Sequence, residues 1–375
     1  MIGPKAIIHI DRLLSNYDRL KSHLNQKRIM AVVKADAYGH GSVQCARALE
    51  NHGCDSFAVF SFSEALELRH GGVVSDILIF SKTQQEYIEP ALQNNLTLNA
   101  SSLSDIAILD SYKLSNGSIP NFHVKFDTGM TRLGISSKDA ATAFENIKKN
   151  IEAECKGLYS HYATADEGDL SFANHQLSIF NEVTEIAVNK GVSFDTIHFS
   201  NSGATINLNQ SKFDQVRIGM LLYGAFPSNE VSKNLSIEPV MEYVASLVEV
   251  RRVKMDTPVS YGGVYKTPND CTIGVVQCGF ADGIPREWYD QGFVGYKGKT
   301  YKIAGRICMD QFMVNFEDDS PKIGDEVLLF GKNESCEISM ENIADTLNST
   351  PYVICLLYTS PSPRDVEESR MPSSA

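Results

Sequence analysis

No apolar stretch in the 375 residues approaches the roughly 18 residues that a membrane-crossing helix requires. A basic excess is also missing: Lys and Arg number 34 against 46 Asp and Glu, a formal net charge of −12. A uniformly acidic chain is a poor general nucleic-acid binder, because phosphates are neutralised by clustered Lys and Arg. The eight cysteines include no CxxC pair, and they read as buried or idle thiols of a reducing compartment. The first residues lack the basic start, long apolar core and small-residue cleavage site of an export signal. These absences predict a soluble, cytoplasmic protein with no nucleic-acid, membrane or metal partner. What is present is ordinary globular composition, 21% charged and 43% hydrophobic, which argues against disorder. The length sets a prior of two or three domains.

Short β-branched runs recur through the first 225 residues, at 28–34, 56–60, 76–80, 96–100, 121–127, 155–161, 196–200 and 215–221. Helical patterns separate them, such as Phe62–His70, which stops at Gly71-Gly72, and Ser171–Asn189 with Phe172, Leu177, Phe180, Val183 and Ile186 on one face. Strands alternating with helices imply a parallel sheet, and their number fits an α/β fold with an N-terminal (β/α)8 TIM-like barrel. Beyond about Asn234 the runs follow one another with Gly, Pro and Asn-Asp turns and little helical pattern, the texture of a mostly β C-terminal domain. The expected division is a barrel over 10–230 and a β-rich domain over 231–355, to which the strand-like residues 1–9 are added. A helix is expected over 335–348.

The residue types that carry chemistry begin with Lys34, directly after the apolar run Ile29–Val33. A lysine there stands at the C-terminal mouth of a barrel strand, where the active sites of that fold lie. Desolvation would lower its pKa and suit it to Schiff-base chemistry and proton transfer. Gly39 and Gly41 follow, and glycine permits close backbone approach to a ligand. Read alone, Lys34 is more simply a lysine snorkelling from a strand end.

Its context is more specific. The segment Ala31–Gly41 (AVVKADAYGHG) resembles the pyridoxal-phosphate lysine motif of the alanine racemase family. The resemblance continues, in the family's order, through 124–134 (VKFDTGMTRLG), 160–166 (SHYATAD), 201–204 (NSGA), 216–224 (VRIGMLLYG), 259–263 (VSYGG), 279–283 (GFADG) and 305–311 (GRICMDQ), and Pro351-Tyr352 extends it. The resemblance implies a pyridoxal 5'-phosphate enzyme that interconverts L- and D-alanine by a two-base mechanism, supplying D-alanine for peptidoglycan. It also implies a homodimer whose active sites are completed across the interface. Lys34 then carries the cofactor and acts as one acid/base group, and Tyr261 of the second subunit is the other. Removing a proton from one face of Cα and delivering one to the other needs two such groups. A tyrosine with an ordinary pKa of about 10 needs cationic neighbours to serve as a base, and the matches at His161 and Arg217 would provide them.

Arg217 resembles the arginine that faces the cofactor's ring nitrogen. An arginine does not give up its proton as a carboxylic acid would, which disfavours decarboxylation and transamination. Phosphate contacts are implied at Tyr38, Ser202, Gly219, Met220 and Tyr352, and substrate contacts at Arg132 and Met309. Lys125 resembles a lysine that is carbamylated in many relatives and orients Arg132, although an ordinary strand lysine is the alternative. His198 is either a second network histidine or a core histidine with satisfied hydrogen bonds. Arg306 and Asp310 resemble entrance and support residues, and Asp310 reads as well as a turn residue. Phe280 stands where many relatives have tyrosine.

Rival readings on the same plan fare worse. A basic amino-acid decarboxylase would want a carboxylate where Arg217 stands. A cofactor-buffering single-domain barrel lacks the second domain that holds Tyr261 and Met309. A broad-specificity amino-acid racemase is commonly exported, and no export signal is visible. The last segment stands apart: Leu356–Asp365 and Ser369–Ala375 are rich in Ser and Pro and resemble translated sequencing-adapter sequence, so 356–375 is expected to be a non-native tail.

Overall fold

The structure, a computed structural model, describes residues 3–209 and 212–357. The adapter-like reading of the tail therefore falls, for 358–375, outside the described residues, while Leu356 and Leu357 end a helix, Pro351–Leu357. Two compact units are present: Leu13–Ile237 is one, and the N-terminal residues to Arg12 join those from Glu238 onward as the other.

Among the described residues the first unit holds eight parallel barrel strands, β1 (Arg28–Val32), β2 (Ser56–Val59), β3 (Asp76–Ile79), β4 (Leu98–Ala100), β5 (Phe122–Asp127), β6 (Cys155–Tyr159), β7 (Thr196–His198) and β8 (Gln215–Ile218), with a two-residue strand, Ile135–Ser136, parallel beside β5. They run round in sequence order, β8 pairing with both β1 and β7. A parallel bridge from Leu78 to Thr97 links β3 to β4, so the ring closes. The (β/α)8 barrel expected from the sequence is what the chain forms. Because successive strand side chains alternate between faces, His123 and Lys125 on β5, Thr196 and His198 on β7, and Gln215 and Arg217 on β8 share the interior face; all six are buried. The outer faces and helices supply the apolar layer, with Phe57, Phe122, Phe144 and Phe180 fully buried.

The expected strands end earlier than the apolar runs suggest. β1 stops at Val32, and the next segment is not the start of an ordinary helix. Ala35, Asp36, Ala37 and Tyr38 all have left-handed backbone angles, φ 50–54°, at a cost of about 1–2 kcal/mol each for residues bearing a Cβ. Tertiary bonds hold them there. Glu64 Oε1 accepts from the Ala35 amide at 2.7 Å, and Asp36 Oδ1 accepts from that of Ser42 at 2.6 Å. His40 Nδ1 lies 3.0 Å from the carbonyls of Ala37 and Tyr38, and the Tyr223 hydroxyl donates to Val32 O at 2.9 Å.

Glu64 also closes the capping box of helix Phe62–His70, its other oxygen accepting from the Phe60 and Ser61 amides at 2.8 Å. One carboxylate thus caps a helix and pins the turn after β1. Glu64→Ala is expected to cost about 2 kcal/mol, read as a lowered denaturant midpoint with an unchanged slope.

The second unit is a mostly antiparallel sheet around the long strand Met241–Val253. That strand pairs with Lys5–Ile8, Cys271–Val276 and Glu326–Lys332, all antiparallel. The helix expected over 335–348 is shorter, Met340–Thr346, and follows a strand at Glu337–Ile338; a second helix, Pro351–Leu357, opens on a proline, which suits a first helical position because the amide there has no helical partner.

Candidate functional site

The mouth of the barrel is assembled from strand ends. Lys34 enters from the left-handed turn, Lys125 from β5, His161 from the residues after β6, and Arg217 from β8. Arg217 is 3% exposed and both terminal nitrogens of its guanidinium are engaged. Nη1 donates to His198 Nδ1 at 2.8 Å and to His198 O at 3.1 Å. Nη2 donates to the carbonyls of Ser160 at 2.7 Å and Phe199 at 3.0 Å, and lies 3.2 Å from His161 Nδ1. Burial brings its pKa down to about 10, which leaves it protonated at neutral pH.

Because the guanidinium can only donate, both histidines must present a lone pair at Nδ1. Burial and the arginine charge push the pKa of His161 and of His198 well below the ordinary value, so both are neutral with the proton on Nε2, and His161 is not the cationic neighbour expected from the sequence; that charge sits on Arg217. The Tyr159 ring stacks on His198 at 4.8 Å, and the Arg217 guanidinium lies 5.3 Å from its centroid.

The remaining groups are basic. Burial, then the neighbouring Arg132, lowers the pKa of Lys34, which Glu64 partly counteracts. Burial and the charges of Arg132 and Arg217 bring Lys125 down to about 7. No ion pair among the described residues involves Lys34, Lys125, Arg132 or Arg217. Lys125 and Arg217 are buried, Lys34 is half-buried and Arg132 is exposed; basic groups gathered with no carboxylate ion-paired to them among the described residues suit an anionic ligand.

The wall beside β8 is shaped for close approach. A Cβ on Gly219 would sit 2.6 Å from the Tyr38 hydroxyl oxygen, so only glycine admits that side chain. The Gly219 amide donates to Ser202 Oγ at 3.3 Å, and Met220 is wholly buried beside it. Amides and hydroxyls without a Cβ between them form a cradle that fits a phosphate ester.

Lys125 gives a pH dependence with a definite sign. Between about 7 and the ordinary 10.5 the unfolded chain holds a proton that the folded chain has released, so stability rises with pH through that window. In carbon-dioxide-free buffer, unfolding free energy is expected to climb between pH 7 and 9 by about 1 kcal/mol per unit relative to Lys125→Met. Parallel midpoints for the two proteins would contradict this.

The other unit carries the second group of expected site residues. Tyr261 sits in a tight turn, Tyr261–Gly263, and is 66% exposed. The preceding residue ties it to the Arg306 segment, since Ser260 Oγ donates to Arg306 O at 2.6 Å. Met309 is also exposed. Its carbonyl accepts from the Ala281 amide at 3.0 Å and crowds Gly279, where a Cβ would come within 2.2 Å. The turns bearing Tyr261, Arg306 and Met309 are thus built against one another, with the half-exposed Asp310 adjoining. Tyr352 lies separately, partly exposed on the helix Pro351–Leu357.

Two residues with clear geometric roles were absent from the sequence reading. Glu64 was legible as Ser61-x-x-Glu64, a capping-box spacing. His123 was legible from strand alternation, standing two residues before Lys125.

The chain is similar to known proteins over nearly its whole length. Residues 8–227 match the family described as "Alanine racemase, N-terminal domain", and 240–366 match "Alanine racemase, C-terminal domain". "Alanine racemase 2" of Caldanaerobacter subterraneus subsp. tengcongensis is 35% identical over 350 residues, 92% of this chain and 90% of that protein. The alanine racemase structure from D-cycloserine-producing Streptomyces lavendulae superposes with a TM-score of 0.87 at 32% identity, covering 96% of each chain. The Bartonella henselae alanine racemase, solved with covalently bound pyridoxal phosphate, superposes at 0.83 with 27% identity, covering 96% of this chain and 98% of that one.

Proposed function

The chain belongs to the alanine racemase family, whose two domains span it, and on that premise we propose that it interconverts L- and D-alanine with two acid/base groups, Lys34 and Tyr261. The observation that carries the reading is the setting of Arg217. A buried guanidinium with neutral acceptors and, among the described residues, no carboxylate on it cannot hand a proton to a ring nitrogen, and that suits racemisation over decarboxylation.

The cofactor would be pyridoxal 5'-phosphate, linked through Lys34, with Tyr38, Ser202, Gly219, Met220 and Tyr352 on its phosphate and Arg217 at its ring nitrogen. When bound, it supplies an electron-withdrawing ring that acidifies the Cα–H of an attached amino acid. The gathered basic groups and the Gly219 cradle support that fit.

Lys34 Nζ handles the proton on one face. Its lowered pKa keeps a larger neutral fraction at neutral pH, as a base requires. Tyr261 handles the opposite face and reaches the mouth from the second subunit of a homodimer, which accounts for its exposure within one chain. His161 carries its proton on Nε2, the nitrogen that Arg217 leaves protonated, and offers that N–H as a donor to the hydroxyl of an approaching tyrosine. Arg132 and the Met309 amide hold the substrate carboxylate, with Arg306 and Asp310 supporting the entrance. Lys125, with a pKa near 7, offers the neutral amine that carbamate formation needs. A carbamate there would orient Arg132.

The product D-alanine serves peptidoglycan synthesis, and the site of action is the cytoplasm. No helix among the described residues is long and apolar enough to cross a membrane. The test is to incubate the holoenzyme with L-alanine, and separately with L-lysine and L-ornithine. Chiral chromatography should show D-alanine, with no carbon dioxide released from the basic amino acids. Carbon dioxide release without D-alanine would favour the decarboxylase instead.

A further inference from the structure

The hydrogen-bond chain at Arg217 does not stop at His198. His198 Nε2 lies 2.9 Å from His123 Nδ1, with both rings buried in the barrel interior. Since Arg217 forces the His198 proton onto Nε2, that nitrogen donates, and His123 must accept at Nδ1. Burial and the charges of Arg217 and Arg28 lower the pKa of His123 to about 3. It is therefore neutral, with its own proton on Nε2. The arginine charge sets the tautomer of two histidines in series, and each is acceptable only if the next one accepts.

The converse holds as well. Without an acceptor at the His123 position, the His198 Nε2–H would be a buried donor with no partner, which the folded state disfavours. The escape is the other tautomer, which would put an N–H on Nδ1 against the Arg217 N–H 2.8 Å away. Arg217 would then have to turn away from His198.

The packing is arranged to keep His123 in place. A Cβ on Gly157 would lie 2.5 Å from the His123 ring atoms Cγ and Nδ1, so the ring lies flat on a glycine that leaves room for it. On the other side the Tyr159 ring holds His198, and the Tyr159 hydroxyl is itself fixed on Asn99 Oδ1 at 2.9 Å. The His123 side chain lines a cavity of about 190 Å³ at the foot of the barrel, with Met30, Asp76, Asn121 and Gln215. The chain therefore runs from the foot of the barrel to its mouth.

We propose that His123 is a positioning residue for the racemisation site: its Nδ1 lone pair fixes the tautomer of His198, and through it the orientation of the Arg217 donor fork. This rests on the reading of Arg217 as the group facing the cofactor ring.

Two variants of similar size separate a hydrogen-bonding role from a packing role. In His123→Asn the amide oxygen can take the place of Nδ1 as acceptor, whereas His123→Leu has none. Protein labelled with 15N-histidine is examined by NMR, with and without cofactor. The expected result is a His198 with bare Nδ1 and protonated Nε2 in the wild type and in His123→Asn, with that pattern lost in His123→Leu. Activity should follow: His123→Leu loses about tenfold or more in kcat with a smaller change in KM, and His123→Asn stays within about threefold of the wild type.

A His198 protonated at Nδ1 in the wild type would overturn the assignment. Equal activity of the Asn and Leu variants would overturn the positioning role. Gly157→Ala, which displaces the ring without removing it, gives the same reading if His123→Leu does not fold: a wild-type His198 pattern and kcat there would also overturn the proposal. Absence of racemisation in the wild type would instead strike at the proposed function, while the tautomer measurement would still decide the hydrogen-bond chain.

Discussion

Lys34→Ala is expected to lower racemisation at least about a thousandfold while leaving the thermal transition almost unchanged. The side chain makes no ion pair among the described residues, and the structure around it is held by Glu64, Asp36, His40 and Tyr223 rather than by its amine. Function and fold are therefore separable at this position. Lys34→Arg sharpens the test, because it keeps the positive charge and most of the length. A guanidinium stays protonated at any working pH, so it offers no lone pair either to a carbonyl or to a Cα proton. Both variants should be equally inactive. If Lys34→Arg retained a substantial fraction of the wild-type rate, charge and not basicity would be what the site uses, and the role given to Lys34 would fail.

The second large effect is on stability. Arg217→Leu removes the donor to five acceptors at once: Nδ1 of His161 and His198, and the carbonyls of Ser160, His198 and Phe199. Leucine fills much of the volume but satisfies none of them. Stranding such groups in a buried polar network costs about 3–5 kcal/mol, a large share of the 5–15 kcal/mol that typically holds a domain. A fall in Tm of roughly 10 °C in the cofactor-free protein is expected. Measuring without cofactor keeps ligand linkage from adding to the difference. Arg217→Lys should fall between, since an ammonium has three donors and no planar fork. A change under about 2 °C for Arg217→Leu would mean that water replaces the guanidinium at little cost.

What could be read from the sequence, and what could not, divides along physical lines. The eight barrel strands were legible because each is a short apolar run bounded by polar or turn residues, and the helices Phe62–His70 and Ser171–Asn189 were legible to their ends from periodicity and their stops. The strand ends were read too long at Lys34, His161 and Leu221, all at the C-terminal ends of barrel strands. At those ends the chain bends to deliver polar groups, and local propensity gives way to tertiary bonds.

The left-handed turn is the clearest case. Ala35-Asp36-Ala37-Tyr38 contains no glycine, and two alanines favour a right-handed helix. Its conformation comes from Glu64 and Tyr223, distant in sequence. His123 was missed because no local motif marks it, and only the closed ring brings it to His198, 75 residues away. The resemblance to a family supplied an expected role for Lys34, Arg217 and Tyr261. Spacing alone assigned none of these roles.

The account stands or falls on two acid/base groups acting on opposite faces of one carbon. The most direct measurement is to incubate the holoenzyme with each enantiomer of alanine in deuterated water. Chirality and Cα deuteration are followed together, for the wild type, Lys34→Ala and Tyr261→Phe. The account predicts deuterated product of inverted configuration from the wild type and no inversion from either variant. Tyr261→Phe should still exchange the Cα proton with retention, and only for one enantiomer, since one face keeps its base. Inversion by Tyr261→Phe at the wild-type rate would contradict the account, because a single group would then be serving both faces.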